Sequence, residues 1–455
     1  MDCTWSSAIG IRSDRLGPVQ RDPVISTQLV REIQIGSEGR APSGFFEDLW
    51  LRYSDTLLQQ VLTSAAGFLT GILTARLLGP YGRGELAAVT VWPITLIFLC
   101  SFGLERTLIY FAGKSRDDIS PVASSAMGIG AVQTAAAILI GWLAIPIALR
   151  GYGTPAIRWS LVFLLAAPIV RLDSLQGSLL LGTLRTRPYN FLAGFSSVFY
   201  AAGIAALFLR NIPSVSGIVI VRLLGVVLAA CMGFKIIRQE LRMKWSWNRA
   251  VAAEMTKYGL KTNLGELSYF MNNRLDQLLM SLLLPGATLG IYVAAVAFSD
   301  ALCILPRGIA IVTLATGSNS NPTTAMLWTK RSLTLTAAWV LPAALLMWIL
   351  CPVLIPRLFG HAFAGAILPC RILILGSCAM SFTGVLSESA RSVNHPEIPS
   401  YAEFSALLVT AGLLLLLLKP FGAVGAAIAS SAAYAWALAF TAFMVSKKWR
   451  ALGPS

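Results

Sequence analysis

The chain has 455 residues, 56% of them hydrophobic and only 13% charged, with a mean hydropathy of +0.70. A water-soluble domain carries about 25% charged residues, so this composition excludes a soluble globule and makes lipid the solvent for most of the chain. The net charge of +15 then reads as topology-setting charge in short segments that meet anionic headgroups, and nucleic acid is excluded as a partner.

Residues 1–50 are mixed, polar and slightly acidic, with no signal-like apolar core, and are expected to be a disordered cytoplasmic tail. Apolar stretches of spanning length follow at 55–78, 86–112, 121–149, 157–183, 188–209, 215–236, 257–284, 287–315, 331–356, 364–387, 398–418 and 423–446. Trp92-Pro93, Ile145-Pro146, Ala167-Pro168 and Leu305-Pro306 mark bends of the kind membrane helices tolerate around a cavity. The fold class is thus all-α and polytopic, with about twelve transmembrane helices. Residues 51–236 and 257–446 form two six-helix bundles, 237–256 a basic cytoplasmic linker, and 447–455 a cytoplasmic tail.

With the N-terminus inside, roughly twenty-two Lys and Arg fall on the cytoplasmic side and seven on the other, the latter including Arg76, Arg83, Arg150 and Arg357. That bias places both termini in the cytoplasm. An internal repeat is also legible. Leu78-Gly-Pro80-Tyr-Gly-Arg-Gly84 is echoed by Leu284-Pro285-Gly-Ala-Thr-Leu-Gly290, and Pro213-Ser-Val-Ser-Gly217 by Pro420-Phe-Gly-Ala-Val-Gly425. Both pairs are offset by about 205–208 residues, or six spans. An even number of spans predicts parallel repeats about an axis along the membrane normal, around a central cavity.

Ionisable groups in lipid are costly, so each is a functional candidate. In the seventh span Thr262, Glu266, Tyr269, Asn273 and Asp276 follow a 4-3-4-3 spacing that puts them on one helical face, widened by Asn263 and flanked by Arg274. The first span carries a milder stripe of Asp55, Gln59, Thr63, Gly67, Thr70 and Thr74 at the equivalent place. Arg171, Arg307 and Arg371 are further cavity candidates, because guanidinium groups suit a diphosphate at any physiological pH. Arg307 and Lys261 can equally snorkel to an interface. Asp276, Glu266 and Asp300 are candidates for binding a coupling proton or cation.

Seven scattered cysteines without CxxC spacing and two histidines, His361 and His395, give no metal site or disulfide framework. Neither a GxSxG, Walker A, HExxH nor GxGxxG motif occurs in usable context. No cofactor and no catalytic residues are therefore expected, and the chain is read as a transporter.

Four segments carry a resemblance: Ala75-Arg-Leu-Leu-Gly-Pro-Tyr-Gly-Arg-Gly84, Leu181-Gly-Thr-Leu-Arg185 with Tyr189-Asn190, Asn273-Arg-Leu-Asp-Gln-Leu-Leu279, and Phe421-Gly-Ala-Val-Gly-Ala-Ala-Ile-Ala-Ser430. In order and spacing the chain resembles the oligosaccharide flippases, or polysaccharide biosynthesis transporters, of the multidrug/oligosaccharidyl-lipid/polysaccharide exporter superfamily. The resemblance implies an inner-membrane protein that moves a lipid-diphosphate-linked glycan by alternating access, with Arg274 and Asp276 as cavity residues. Its implied partners are that substrate, membrane lipids and a polysaccharide polymerase or export complex. Alternatives are a drug or peptidoglycan-precursor exporter of the same superfamily, and a membrane glycosyltransferase or polymerase. The drug exporter would have a more acidic and aromatic cavity. The enzyme would need a large extracytoplasmic loop with acidic residues, whereas the acidic pairs Glu47-Asp48 and Asp117-Asp118 fall on the cytoplasmic side. A scaffold without transport activity would gain nothing from buried charge.

Overall fold

The computed structural model describes residues 43–115, 118–241, 244–318 and 320–451. Expectations that rest on residues 1–42, on Arg116, Asp117 or Arg242, on 452–455, or on the side chains of Glu47, Asp48, Asp55, Lys261 and Thr262 lie outside the described residues. Every regular element among the described residues is helical, as lipid demands of a backbone that must satisfy its own hydrogen bonds.

Among the described residues eight helices are long and apolar enough to cross a membrane, and the bent pair Thr154–Leu165 and Ala167–Gly182, at 44°, makes a ninth span. Two of the eight, Ser43–Leu99 and Glu397–Ala451, are each two helices joined at Gly79 (φ 66°) and Gly422 (φ 54°). These left-handed values are open to glycine at no steric cost; Pro80 directly follows Gly79, and Pro420 lies in the last turn before Gly422. Splitting them gives eleven. The twelfth is a broken, more polar helix over residues 249–283.

The spans are α1 (43–78), α2 (80–99, resuming as Leu104–Lys114), α3 (Ser120–Ala148), α4 (Thr154–Leu165 and Ala167–Gly182) and α5 (Thr186–Leu209). Then come α6 (Val215–Leu241), α7 (Arg249–Thr262, Leu264–Asn272 and Leu275–Leu283), α8 (Gly286–Asp300 and Ile304–Ser318) and α9 (Pro322–Phe359). The last three are α10 (Ile367–Ser392), α11 (397–421) and α12 (423–451). Leu139, Leu143 and Leu415 are 69–72% exposed, an outer surface that suits acyl chains and would aggregate in water.

Alternate turns fall on opposite ends of the bundle. The end holding residues 114–120, 182–186, 241–249 and 392–397 is termed the basic face, and the end holding the Gly79 and Gly422 joins the far face. On the far face Arg76 of α1 donates to the carbonyls of Arg357 and Leu358 at the end of α9, the latter at 2.7 Å.

The internal echo has a physical counterpart. Gly79-Pro80 joins α1 to α2 and Pro285 joins α7 to α8, while Pro213 and Pro420 mark the α5–α6 and α11–α12 joins. Moreover, a Cβ on Gly84 would meet the Gly286 carbonyl, and a Cβ on Gly290 would meet the Pro80 carbonyl. Gly84 matches Gly290 and Pro80 matches Gly286 in the two repeats, so the contact is self-reciprocal, as a two-fold axis requires. Backbone touches backbone here, which only glycine allows.

Two boundaries differ from expectation. The second span breaks at Phe102 (φ 45°) and Gly103 (φ 71°). The basic linker expected over 237–256 is mostly helical: α6 runs to Leu241 and α7 starts at Arg249. Its Lys and Arg are good helix formers whose charged ends reach water from a helical backbone.

Candidate functional site

A cavity of about 320 Å³ opens beside α1, within the roughly 300–1,000 Å³ of small-molecule sites. Thr63, Gly67, Thr70, Gly71 and Thr74 line one wall, four of them from the stripe singled out in the first span. Facing them are Arg83 of α2, Ser197 and Tyr200 of α5, and Arg222 of α6. Because α1 is unbroken through this region, the 4-3-4 spacing keeps these residues on one face. The α1 hydroxyls spend their protons on their own helix: Thr70 donates to the Gly67 carbonyl at 2.9 Å, and Thr74 to that of Thr70 at 2.6 Å.

The two arginines are the strong donors that face this space. Arg83 Nε is buried with no hydrogen-bond partner. Arg222 lies over the Tyr200 ring, 5.5 Å from its centroid. Not one of the residues lining the cavity is acidic. Two guanidinium groups without a carboxylate, in a low-dielectric setting, make a receptor for an anion. Sequence reasoning missed both. Arg83 was assigned to topology on the far side, and Arg222 stood alone in an apolar run, where a single intramembrane arginine was the signal to follow.

The seventh-span stripe does not form one wall. α7 breaks at Asn263 and again at Asn273–Arg274, and each break resets the helical phase on which the spacing argument depends. Glu266 turns to α2 and pairs with Arg106, its Oε2 2.7 Å from Nε. Asn273 bonds back to the Tyr269 carbonyl at 2.7 Å. Asp276 is 3% exposed and fully occupied: the Tyr292 hydroxyl donates to it, Ser430 Oγ donates at 3.3 Å, and the Gln277 N–H donates at 2.7 Å. Arg274 is half-buried, with Nη1 3.4 Å from Gln277 Oε1. Asp300 and Arg307 of α8 are exposed, and Arg307 and Arg274 are the cationic groups that act on Asp300.

The remaining candidates lie elsewhere. Arg171 is 3% exposed; it pairs with Glu105 and donates Nη2 to the Ile97 carbonyl at 2.8 Å. It thereby staples the two pieces of α2, satisfying a carbonyl freed at the break and a carboxylate in the next first turn. It does not line the cavity. Arg371 packs 4.4 Å from the Trp348 ring centroid and donates Nε to the Trp348 carbonyl at 3.3 Å, between α9 and α10. Asn263 is buried against Gly103, its Oδ1 without a partner.

One seam between the halves is closed along its length. Trp92 Nε1 donates to Ser281 Oγ at 3.0 Å towards the far face. Phe98 stacks on Phe270 with centroids 3.8 Å apart, and Tyr110 stacks on Tyr258 at 4.6 Å towards the basic face. Arg106–Glu266 sits between these two stacks.

Comparison with known proteins places this geometry. A family model described as "Polysaccharide biosynthesis protein" matches residues 73–368. No curated protein matches the chain. Among solved structures, the lipid II flippase MurJ in an inward closed conformation is similar, with a TM-score of 0.71 at 18% identity over 87% of each chain. An inward-facing multidrug resistance MATE family transporter of the MOP superfamily gives 0.69 at 14% identity, covering 85% of this chain and 95% of that one. A MOP superfamily transporter from Pyrococcus furiosus, described as having a binding pocket of reverse polarity, gives 0.61 at 14% identity over 91% and 100%. At these identities the likeness is one of fold, the twelve-helix fold of MOP-superfamily transporters.

Proposed function

The chain belongs to the polysaccharide biosynthesis protein family, and from that premise we propose that it is a flippase carrying a lipid-linked, diphosphate-bridged oligosaccharide across the cytoplasmic membrane by alternating access. The observation that carries this reading is the acid-free cavity with Arg83 and Arg222. A diphosphate brings two negative charges and several acceptor oxygens to a site whose guanidinium donors want such a partner. The hydroxyl-bearing α1 wall offers sugar-compatible surface, and the adjoining lipid accepts the isoprenoid tail.

The basic face is then cytoplasmic, with both termini inside, and a polymerase or export complex receives the glycan on the far face. The reciprocal contact of Gly84 and Gly290 is the closure on the far face, and Arg106–Glu266 is the latch on the basic side of the seam. Glu266 thus serves the latch, Asp276 is spent on its hydroxyl network, and Asp300 is left as the group for a coupling proton or cation. A peptidoglycan precursor carries the same diphosphate, so competition between the two lipid-linked substrates separates the readings.

The test is translocation of a fluorescent polyisoprenyl-diphosphate oligosaccharide in proteoliposomes. Wild type should move the substrate between leaflets, and the Arg83→Ala, Arg222→Ala double variant should not. Equal movement by both, or movement of organic cations alone, would overturn the reading.

A further inference from the structure

The segment that joins the two halves is short and pinned. Residues 244–248 form a non-helical strap along the start of α3. The Lys244 N–H donates to Ser120 Oγ at 3.2 Å, the Ser246 N–H to Ser124 Oγ at 3.0 Å, and Ser125 Oγ donates to the Asn248 carbonyl at 3.2 Å. Asn248 Oδ1 then caps α7, accepting from the Ala250 and Val251 N–H groups. Three serines therefore hold the strap at the level where α3 begins and α6 ends.

What the strap presents outward is unusual for a loop. Trp245 is 71% exposed and Trp247 48%. The inner side of the Trp247 ring lies where a side chain on Gly128 would stand, so bare α3 backbone seats it. On the strap and the helices it joins, Lys235, Arg238, Lys244, Arg249 and Lys257 are all exposed. Among the described residues of these segments the acidic groups are fewer: Glu240 is taken by Arg185, Asp118 faces Lys244, and Glu254 remains.

We propose that this strap is a binding site for anionic phospholipid headgroups, with Lys244 and Arg249 on the phosphate and the two indoles lying in the interface. Indole rings gather where hydrocarbon meets water, and clustered cations concentrate anionic headgroups at that level. A zwitterionic surface offers the rings the same depth and the cations much less. Because Asn248 belongs both to the strap and to the α7 cap, a bound headgroup also fixes where α7 begins. The proposal is independent of what the cavity carries.

The experiment uses the full chain in nanodiscs of phosphatidylcholine alone or mixed with phosphatidylglycerol. Native mass spectrometry reads the phosphatidylglycerol retained by wild type and by Lys244→Gln with Arg249→Gln. Retention should fall about fivefold for each charge removed, the factor set by ~1 kcal/mol per cation near an anionic surface, while phosphatidylcholine retention stays level. As a second readout, quenching by brominated lipid is compared between wild type and Trp245→Phe with Trp247→Phe. The indole contribution should be quenched more by brominated phosphatidylglycerol than by brominated phosphatidylcholine. Unchanged retention in the double glutamine variant overturns the proposal. So do equal quenching by the two lipids, and rings reached only by aqueous iodide, which would leave the strap to a soluble partner.

Discussion

The helices that open the two halves, α1 and α7, occupy equivalent places in the repeat and carry similar polar stripes, yet they do different things. In α1 the stripe stays in phase, and Thr63, Gly67, Thr70 and Thr74 line an open cavity with Arg83 and Arg222 opposite. In α7 two breaks scatter the stripe: Glu266 goes to a cross-seam ion pair, Asn273 to its own backbone, and Asp276 to a packed hydroxyl network. A polar stripe forms a cavity wall only while its helix is continuous. The more strongly charged helix spends its stripe on an ion pair and internal hydrogen bonds, and the milder helix lines the cavity.

The largest effects are expected at the arginines. Arg83→Ala and Arg222→Ala should each cut translocation roughly ten- to hundredfold, as a charge-assisted hydrogen bond worth about 1.5–3 kcal/mol predicts, measured as initial flipping rate. Arg371→Ala, which removes a contact with Trp348 away from the cavity, should leave the rate within about twofold, since exposed cation–π contacts are worth about 0.5–1 kcal/mol. Asp276→Ala should act on stability: it removes the acceptor of the buried Tyr292 hydroxyl, which keeps only Ser430 Oγ at 3.3 Å, at about 1–3 kcal/mol. A fall in the detergent-solubilised Tm that matches Tyr292→Phe and is non-additive with it would show that one network is involved.

Gly84→Ala places a Cβ against backbone and should cost the closed far face about 1–3 kcal/mol. Gly290→Ala should do the same by symmetry, read as faster labelling of Ser281→Cys by an impermeant thiol reagent from that side. The Arg106–Glu266 pair is partly exposed, 65% and 27%, so Glu266→Gln should cost no more than about 1 kcal/mol. Swapping the two charges should restore the wild-type balance between states.

The smallest effect is at Asp118. It accepts from the Ser120 N–H at 2.9 Å, and that hydrogen bond, helped by Lys244, holds its carboxyl below the usual carboxylate value. A depressed folded value means the contribution is present at neutral pH and is lost as pH falls through that value. Asp118→Asn should remove a slight acid-side slope in Tm and change nothing above pH 6.

Much of the architecture was legible because hydrocarbon dictates it. Twelve apolar runs, the parallel repeat and the breaks after the first and eleventh spans all follow from span length, offset and Gly–Pro pairs. The echo of Gly84 in Gly290 even named the residues that touch across the axis. Less legible was helix continuity. Nothing in local composition said that Asn273 and Arg274 interrupt α7, and that interruption is a tertiary choice in which Asp276 gains Tyr292 and Ser430. The site was half-legible: the α1 stripe found its wall, but the cations facing it sit on α2 and α6, and their convergence depends on packing that no spacing rule encodes. Arg171 shows the converse, since a buried arginine can be spent on a broken helix.

Substrate protection of introduced cysteines reports which wall the substrate touches. With Ser197→Cys or Asn273→Cys in an otherwise cysteine-free chain, labelling by a thiol reagent is timed with and without polyisoprenyl-diphosphate oligosaccharide. Substrate should slow labelling at position 197, in the α1–α5 cavity, and leave position 273 unchanged. Protection at 273 with none at 197 would contradict the account and return the translocation path to α7.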